Sequence, residues 1–354
     1  MNNRAILLTD GLLSTPFAKT AHGLIRGTER YTVVGVVDVP TAGQDAGVVL
    51  DGHLRDIPVF ASVSQAMAMA GPVSYAIVAI ATNGGILPST MLTDIKQGLE
   101  NGLSIVNGLH EFLNDKPELV ALANLHSGQL IDVRQPKPRN ELHFWTGEVK
   151  TITAPIIAVI GTDCALGKRT TARLIREACG RHNLNAQMIY TGQTGWLQGV
   201  NYGFIVDSTL NDFVSGELEH ALVSCWRETG ADLLLIEGQA ALRNPSGPCG
   251  SEFLVSGNAR HVVLVHAPKR VYYDHDPAWG EIPSIESEIA LIRAYGSDVI
   301  AVALNTEECS RDDAFAYQKQ YTERLGIPVL LPLQEGVDTI LPIIQSLISP
   351  AHAH

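Results

Sequence analysis

The segment that most constrains the fold is Ala154-Pro-Ile-Ile-Ala-Val-Ile-Gly161-Thr-Asp-Cys-Ala-Leu-Gly167-Lys168-Arg169-Thr170-Thr171. An apolar run ends in a glycine, a short loop follows, and Gly-Lys opens a helix. A wholly apolar strand feeding a helix in this way belongs to a parallel sheet buried on both faces. Gly161 ends the strand, and Gly167 lets the backbone approach an anion closely. The amides at the helix start then point outward at that anion, and Lys168 adds a point charge. The residue types and spacing predict a phosphate cradle. The spacing, Gly, five residues, then Gly-Lys, is one residue longer than the common P-loop pattern. The plain alternative is a tight strand-to-helix turn with an exposed lysine.

Either side of this segment the chain alternates short apolar strands with helical stretches, which gives α/β architecture in two parallel-sheet domains. Residues 1–135 read as a Rossmann-like domain, with strands at Ala5–Leu8, Thr32–Val37, Ala76–Ala81 and Ser104–Val106. Its first turn lacks Gly-x-Gly-x-x-Gly. Asp38, where a ribose-binding acid would sit, also reads as an ordinary turn residue, so NAD binding is disfavoured. Residues 136–155, with Pro136, Pro138 and Pro155, read as the linker. Residues 156–350 form the P-loop domain, with strands at Ile156–Ile160, Gln187–Tyr190, Leu233–Ile236, Val262–Val265, Val299–Leu304 and Val329–Leu331.

Composition bounds the partners. The formal charge of the 354-residue chain is −12, which argues against nucleic acid. Hydrophobic residues make up 45%, and no apolar run is long enough to span a membrane. Five scattered cysteines and no signal-peptide pattern point to a reducing cytoplasm, with neither a disulfide framework nor a metal site expected.

Several segments resemble known families. Gly-Thr-Asp-x-x-x-Gly-Lys is similar to the loop of dethiobiotin synthetase. Leu233-Leu-Leu-Ile-Glu237-Gly238, Val302-Ala-Leu-Asn305-Thr306 and Gly326-Ile-Pro-Val-Leu-Leu-Pro332 resemble its magnesium-holding acid, its base-recognising Asn and its C-terminal segment. A narrower resemblance covers nearly the whole chain. It rests on Tyr190-Thr-Gly-Gln-Thr-Gly-Trp196, Asp207-Ser-Thr-Leu-Asn-Asp212-Phe-Val-Ser-Gly-Glu217, Glu237-Gly-Gln239, Arg243-Asn-Pro, His266-Ala-Pro-Lys269-Arg270 and Asn107-Gly-Leu-His110. This set is similar to the D-glutamate N-acetyltransferase family, long described only as a domain of unknown function.

The resemblances imply two activities. One is acetyl transfer from acetyl-CoA to the amino group of D-glutamate. The other is an ATP-dependent ligase of the dethiobiotin synthetase type, using Mg-ATP. A nucleotide sensor without catalysis is a third reading. Arg169 counts against the ligase, because ATP-using relatives place Ser or Thr directly after the lysine to hold magnesium. Here the hydroxyls come later, at Thr170 and Thr171, and an added cation suits a metal-free, more anionic ligand such as coenzyme A. The cofactor set is then Gly161, Thr162, Asp163, Gly167, Lys168, Arg169, Thr170, Thr171 and Asn305.

Acetyl transfer to an amine needs a base, oxyanion donors and clamps for two carboxylates. Glu237, ending a buried strand, leads the base candidates, ahead of Asp207, Asp212, Glu217 and His266. Asp212 also reads as a helix cap, Glu217 as a solvated residue and His266 as a satisfied half-buried imidazole. Gln193 is a candidate oxyanion donor. Thr191, Thr194, Gln239, Arg243, Lys269 and Arg270 are candidates for the amino-acid substrate, the three cations reading equally as surface charges. Cys249 would suit an acyl-cysteine route but lacks an evident base. Analogy with this architecture gives a homo-oligomer.

Overall fold

The computed structural model describes residues 3–348. Its strands are β1 (Arg4–Leu8), β2 (Thr32–Val37), β3 (Val59–Phe60), β4 (Tyr75–Val78), β5 (Ser104–Asn107), β6 (Leu130–Asp132), β7 (Ile156–Gly161), β8 (Ala186–Tyr190), β9 (Tyr202–Gly203), β10 (Leu233–Glu237), β11 (His261–His266), β12 (Asp298–Leu304) and β13 (Val329–Leu330). Its α-helices are α1 (Lys19–Arg26), α2 (Ala46–Asp51), α3 (Val63–Met69), α4 (Met91–Glu100), α5 (Pro117–Leu125), α6 (Lys168–Arg181), α7 (Gln193–Leu197), α8 (Asn211–Thr229), α9 (Ser251–Val255), α10 (Ile285–Ala294), α11 (Arg311–Leu325) and α12 (Leu341–Ile348). Two compact units result. The first holds the chain to Pro136 together with Gln193–Val200, and the second holds Lys137–Gly192 and everything from Asn201.

In the first unit the sheet order is β3-β2-β1-β4-β5-β6, all parallel, the order of dinucleotide-binding folds. Successive residues of β1 serve opposite faces. Ile6 and Leu8 enter one hydrophobic cluster, Ala5 and Leu7 the other. A central strand covered on both faces must be apolar throughout, which is why this one reads as an unbroken run. Asp38, at the end of β2, is 1% exposed and accepts hydrogen bonds from Thr9 Oγ1 (2.7 Å), the Leu13 amide (3.1 Å) and Thr41 Oγ1 (2.7 Å). It fixes the first turn, as the turn reading expects.

A simple linear division would assign residues 193–200 to the second sheet, but they pack in the first unit. Leu197 is fully buried in a first-unit cluster. The Arg30 guanidinium lies 4.1 Å from the Trp196 ring centroid and Nε donates to the Trp196 carbonyl at 2.7 Å. Gln198 Nε2 donates to the Gly23 carbonyl at 2.8 Å.

In the second unit the order is β13-β12-β11-β7-β10-β8-β9, again all parallel. The strand that feeds the loop is therefore central, and every one of its residues is buried. The segment expected to be a linker is a strap on α8. Glu217 is buried, contrary to its reading as solvated. It accepts from Lys137 Nζ (2.7 Å) and the His143 amide (2.9 Å). Glu219 accepts from the amides of Thr146 (2.6 Å) and Val149 (3.1 Å) and from Thr146 Oγ1 (2.9 Å). A Cβ at Gly216 would lie 2.0 Å from the His143 carbonyl oxygen, so a glycine there lets the strap touch the helix.

Candidate functional site: a phosphate-type loop beside a buried glutamate

β7 stops at Gly161 and α6 starts at Lys168, with Gly167 at its N-cap in the left-handed region, φ +90°. A residue with a Cβ is strained in that region, so glycine is the natural cap here. Ala165, in the middle of the loop, is also left-handed, φ +51°.

The loop is braced from three sides. Asp163 is fully buried and accepts from Asn244 Nδ2 (2.8 Å), Arg270 NH1 (2.9 Å) and the Asp274 amide (2.8 Å). Thr162 Oγ1 lies 3.0 Å from His266 Nδ1, and His266 Nε2 lies 3.2 Å from the Tyr321 hydroxyl. Asn305 Nδ2 donates to the Leu166 carbonyl at 3.2 Å. Asp163, Thr162 and Asn305 thus hold the loop's shape from behind. Asp163, Cys164 and Asp274 also bring potential metal-ligand atoms together, but the Arg270 guanidinium and the Asp274 amide both bond Asp163 Oδ2.

Lys168 is 6% exposed, and its Nζ donates to the Asp163 carbonyl at 2.5 Å. Its stem threads between two glycines. A Cβ at Gly161 or at Gly238 would lie 3.1 Å from Lys168 Cδ, and one at Gly238 would also lie 2.2 Å from the Val159 carbonyl oxygen. The Gly after Glu237 is therefore a condition for the lysine's path.

Glu237 ends β10, in register with Val159 of β7, and is 3% exposed. Burial raises its pKa; Arg169, the Thr191 and Gly192 amides and Lys168 pull the other way. The Thr191 amide donates to Oε2 at 3.2 Å, and Arg169 NH1 stands 3.9 Å from Oε1. Thr191 Oγ1 donates to the Glu237 carbonyl at 2.6 Å and accepts from Gln239 Nε2 at 2.9 Å. The structure thus brings together Gly161, Gly167, Lys168, Arg169, Thr191, Glu237 and Gln239. Thr170 is half-buried on the first turn of α6, and Thr171 is buried with its amide on the Gly167 carbonyl.

Other expected residues stand elsewhere or are engaged. Gln193 and Thr194 belong to the first unit, where Gln193 Oε1 accepts from Arg134 at 2.8 Å and Thr194 Oγ1 lies 3.4 Å from Thr20 Oγ1. Asp212 is exposed in the first turn of α8, where Leu210 takes the N-cap position and no side chain caps the helix, so the cap reading is corrected. The three expected clamps are all paired within the chain. Arg243 bonds Glu288 through Nε (2.8 Å) and NH2 (2.6 Å), and Lys269 bonds Asp313 (2.8 Å). Arg270 bonds Glu307 through Nε (2.6 Å) and NH2 (2.7 Å) besides Asp163. His266 is buried rather than half-buried. Cys249 Sγ donates to Glu252 Oε1 at 2.9 Å, and burial pushes its thiol pKa up, away from the thiolate a nucleophile needs. The sequence assigns no role to Asn244, inside the Arg243-Asn-Pro segment, and Glu307 lies two residues past Asn305 with no local signal of its own.

Comparison with known proteins adds the following. Residues 143–341 match the model described as "Domain of unknown function (DUF1611_C) P-loop domain". Residues 40–136 match "Domain of unknown function (DUF1611_N) Rossmann-like domain". A protein of Pseudoalteromonas sp named D-glutamate N-acetyltransferase is 31% identical over 272 residues, 75% of this chain and 79% of its own. One of the same name from Tritonibacter scottomollicae is 28% identical over 92% of this chain and 93% of its own. A crystal structure of a DUF1611 family protein from Anabaena variabilis superposes with a TM-score of 0.88 at 27% identity, covering 98% of this chain and 100% of that one.

Proposed function

This chain belongs to the DUF1611 family of paired Rossmann-like and P-loop domains, and we propose that it moves an acetyl group from acetyl-CoA to the amino group of D-glutamate. The substrate comes from the names of the relatives. The observation that carries the chemistry is the placement of a buried carboxylate with a raised pKa, Glu237, next to the two cations that open α6. Phosphates of the donor on Lys168, Arg169 and the loop amides would anchor it, and its pantetheine arm folds back to present the thioester to Glu237.

In this scheme the neutral amine of the substrate attacks the thioester carbon and a C–N bond forms. The carbonyl oxygen becomes an oxyanion, which collapses to break the C–S bond and release coenzyme A as thiolate. The ammonium proton passes to Glu237 and from there to the thiolate. The raised pKa makes Glu237 a better proton acceptor than an ordinary carboxylate, and a positioned base contributes about 10²–10⁴-fold. The Thr191 amide holds the carboxylate, while the Thr191 hydroxyl, itself bonded by Gln239, holds the Glu237 backbone carbonyl.

The ligase reading draws on Glu237 beside the loop strand. Arg169 in the position of the magnesium hydroxyl counts against it. One assay separates them. The purified protein with acetyl-CoA and D-glutamate, without nucleotide, releases one free thiol per N-acetylglutamate formed. No thiol release, with ADP formed from ATP and a carboxylate, sinks the transferase reading.

A further inference from the structure

ATP-using P-loop enzymes hold magnesium between a hydroxyl directly after the loop lysine and an acid on a neighbouring strand. Here the acid position is Glu237 and the hydroxyl position is Arg169. Magnesium requires near-octahedral oxygen ligands at about 2.0–2.1 Å. Arg169 offers no oxygen, and its NH1 lies 3.9 Å from Glu237 Oε1. An ion on that oxygen would sit within about 6 Å of the guanidinium, with one carboxylate facing both positive charges. The Thr191 amide already donates to the other oxygen at 3.2 Å. Thr170 lies one position further along α6, turned by about 100° about the helix axis. These residues do not fit magnesium.

We infer that Arg169 stands in for the divalent cation, so that the loop binds the phosphates of its cofactor without metal. The inference rests on the reading of Gly161–Thr171 as a cradle for cofactor phosphates. A guanidinium is permanently charged and presents paired donors that match phosphate oxygens, and Glu237 stands close enough to orient it. The ligand class is a polyphosphate ester such as coenzyme A. The arrangement has a second consequence. A carboxylate bound to magnesium could not serve as a base, whereas one beside a guanidinium keeps its lone pairs for a proton.

Calorimetry with coenzyme A tests this, on wild-type protein in EDTA and in millimolar magnesium. The expected result is the same affinity in both. Arg169→Thr, which restores the hydroxyl, should lose about tenfold or more in EDTA and recover part of it with magnesium. Arg169→Lys keeps the charge and should remain indifferent to the metal. A wild-type affinity that falls tenfold on chelation overturns the inference while leaving the cradle intact, and so does an Arg169→Thr protein that binds as tightly as wild type in EDTA. Should Arg169→Thr fail to fold by circular dichroism, the wild-type pair of titrations and Arg169→Lys decide. Absence of coenzyme A binding in either buffer overturns the cradle itself, and the inference with it.

Discussion

Burial behind the loop keeps the His266 imidazole neutral. Desolvation, aided by the nearby Arg324, pushes its pKa down to about 4 from an ordinary value of 6.5. The ring bridges Thr162 and Tyr321, so its protonation would place a desolvated positive charge directly behind the loop. Between those two values the unfolded chain binds a proton that the fold refuses. The contribution to stability is therefore complete above pH 6.5 and is lost as pH falls towards 4, on the order of 3 kcal/mol across the window. His266→Gln removes the titrating group. Urea midpoints measured at about pH 7 and about pH 4.5 should fall less for the variant than for wild type. Equal falls would show that acid sensitivity arises elsewhere. The loop itself was legible in the sequence because its glycines and lysine act within a few positions of one another. The fate of Arg243, Lys269 and Arg270 was not. Their carboxylates, Glu288, Asp313 and Glu307, lie 45, 44 and 37 residues downstream on other elements, and no local spacing announces such pairs.

At the scale of elements, α8 holds the start of the second unit through two buried glutamates, Glu217 and Glu219, on different sides of the helix. Glu219 satisfies two strap amides and a hydroxyl at once. Glu219→Ala leaves those groups without their acceptor and should cost about 3 kcal/mol. Hydrogen exchange at Thr146 and Val149 should then accelerate well before global unfolding. Unchanged protection there would mean that the strap is held by other contacts. The longer strands were readable because burial on both faces makes them continuous apolar runs. The two-residue strands β3 and β9 and the three-residue β6 were not, since their existence depends on a neighbouring strand rather than on their own pattern. The return of α7 to the first sheet was equally hidden. Leu197 and Gln198 look like ordinary helix residues until their partners are seen.

At the scale of the whole molecule, a chain of formal charge −12 is expected to bind a polyanionic cofactor. It can do so only where cations and amides are gathered locally, and the head of α6 is such a place. The names of the relatives point to an N-acetyltransferase, and the loop beside Glu237 is the site we propose for that chemistry. The measurement closest to this claim is the affinity for acetyl-CoA of wild-type protein and of Lys168→Ala, both checked as folded. The account predicts a loss of about tenfold to a hundredfold in the variant, the worth of a charge-assisted contact to phosphate. Equal affinities would place the cofactor elsewhere and contradict it.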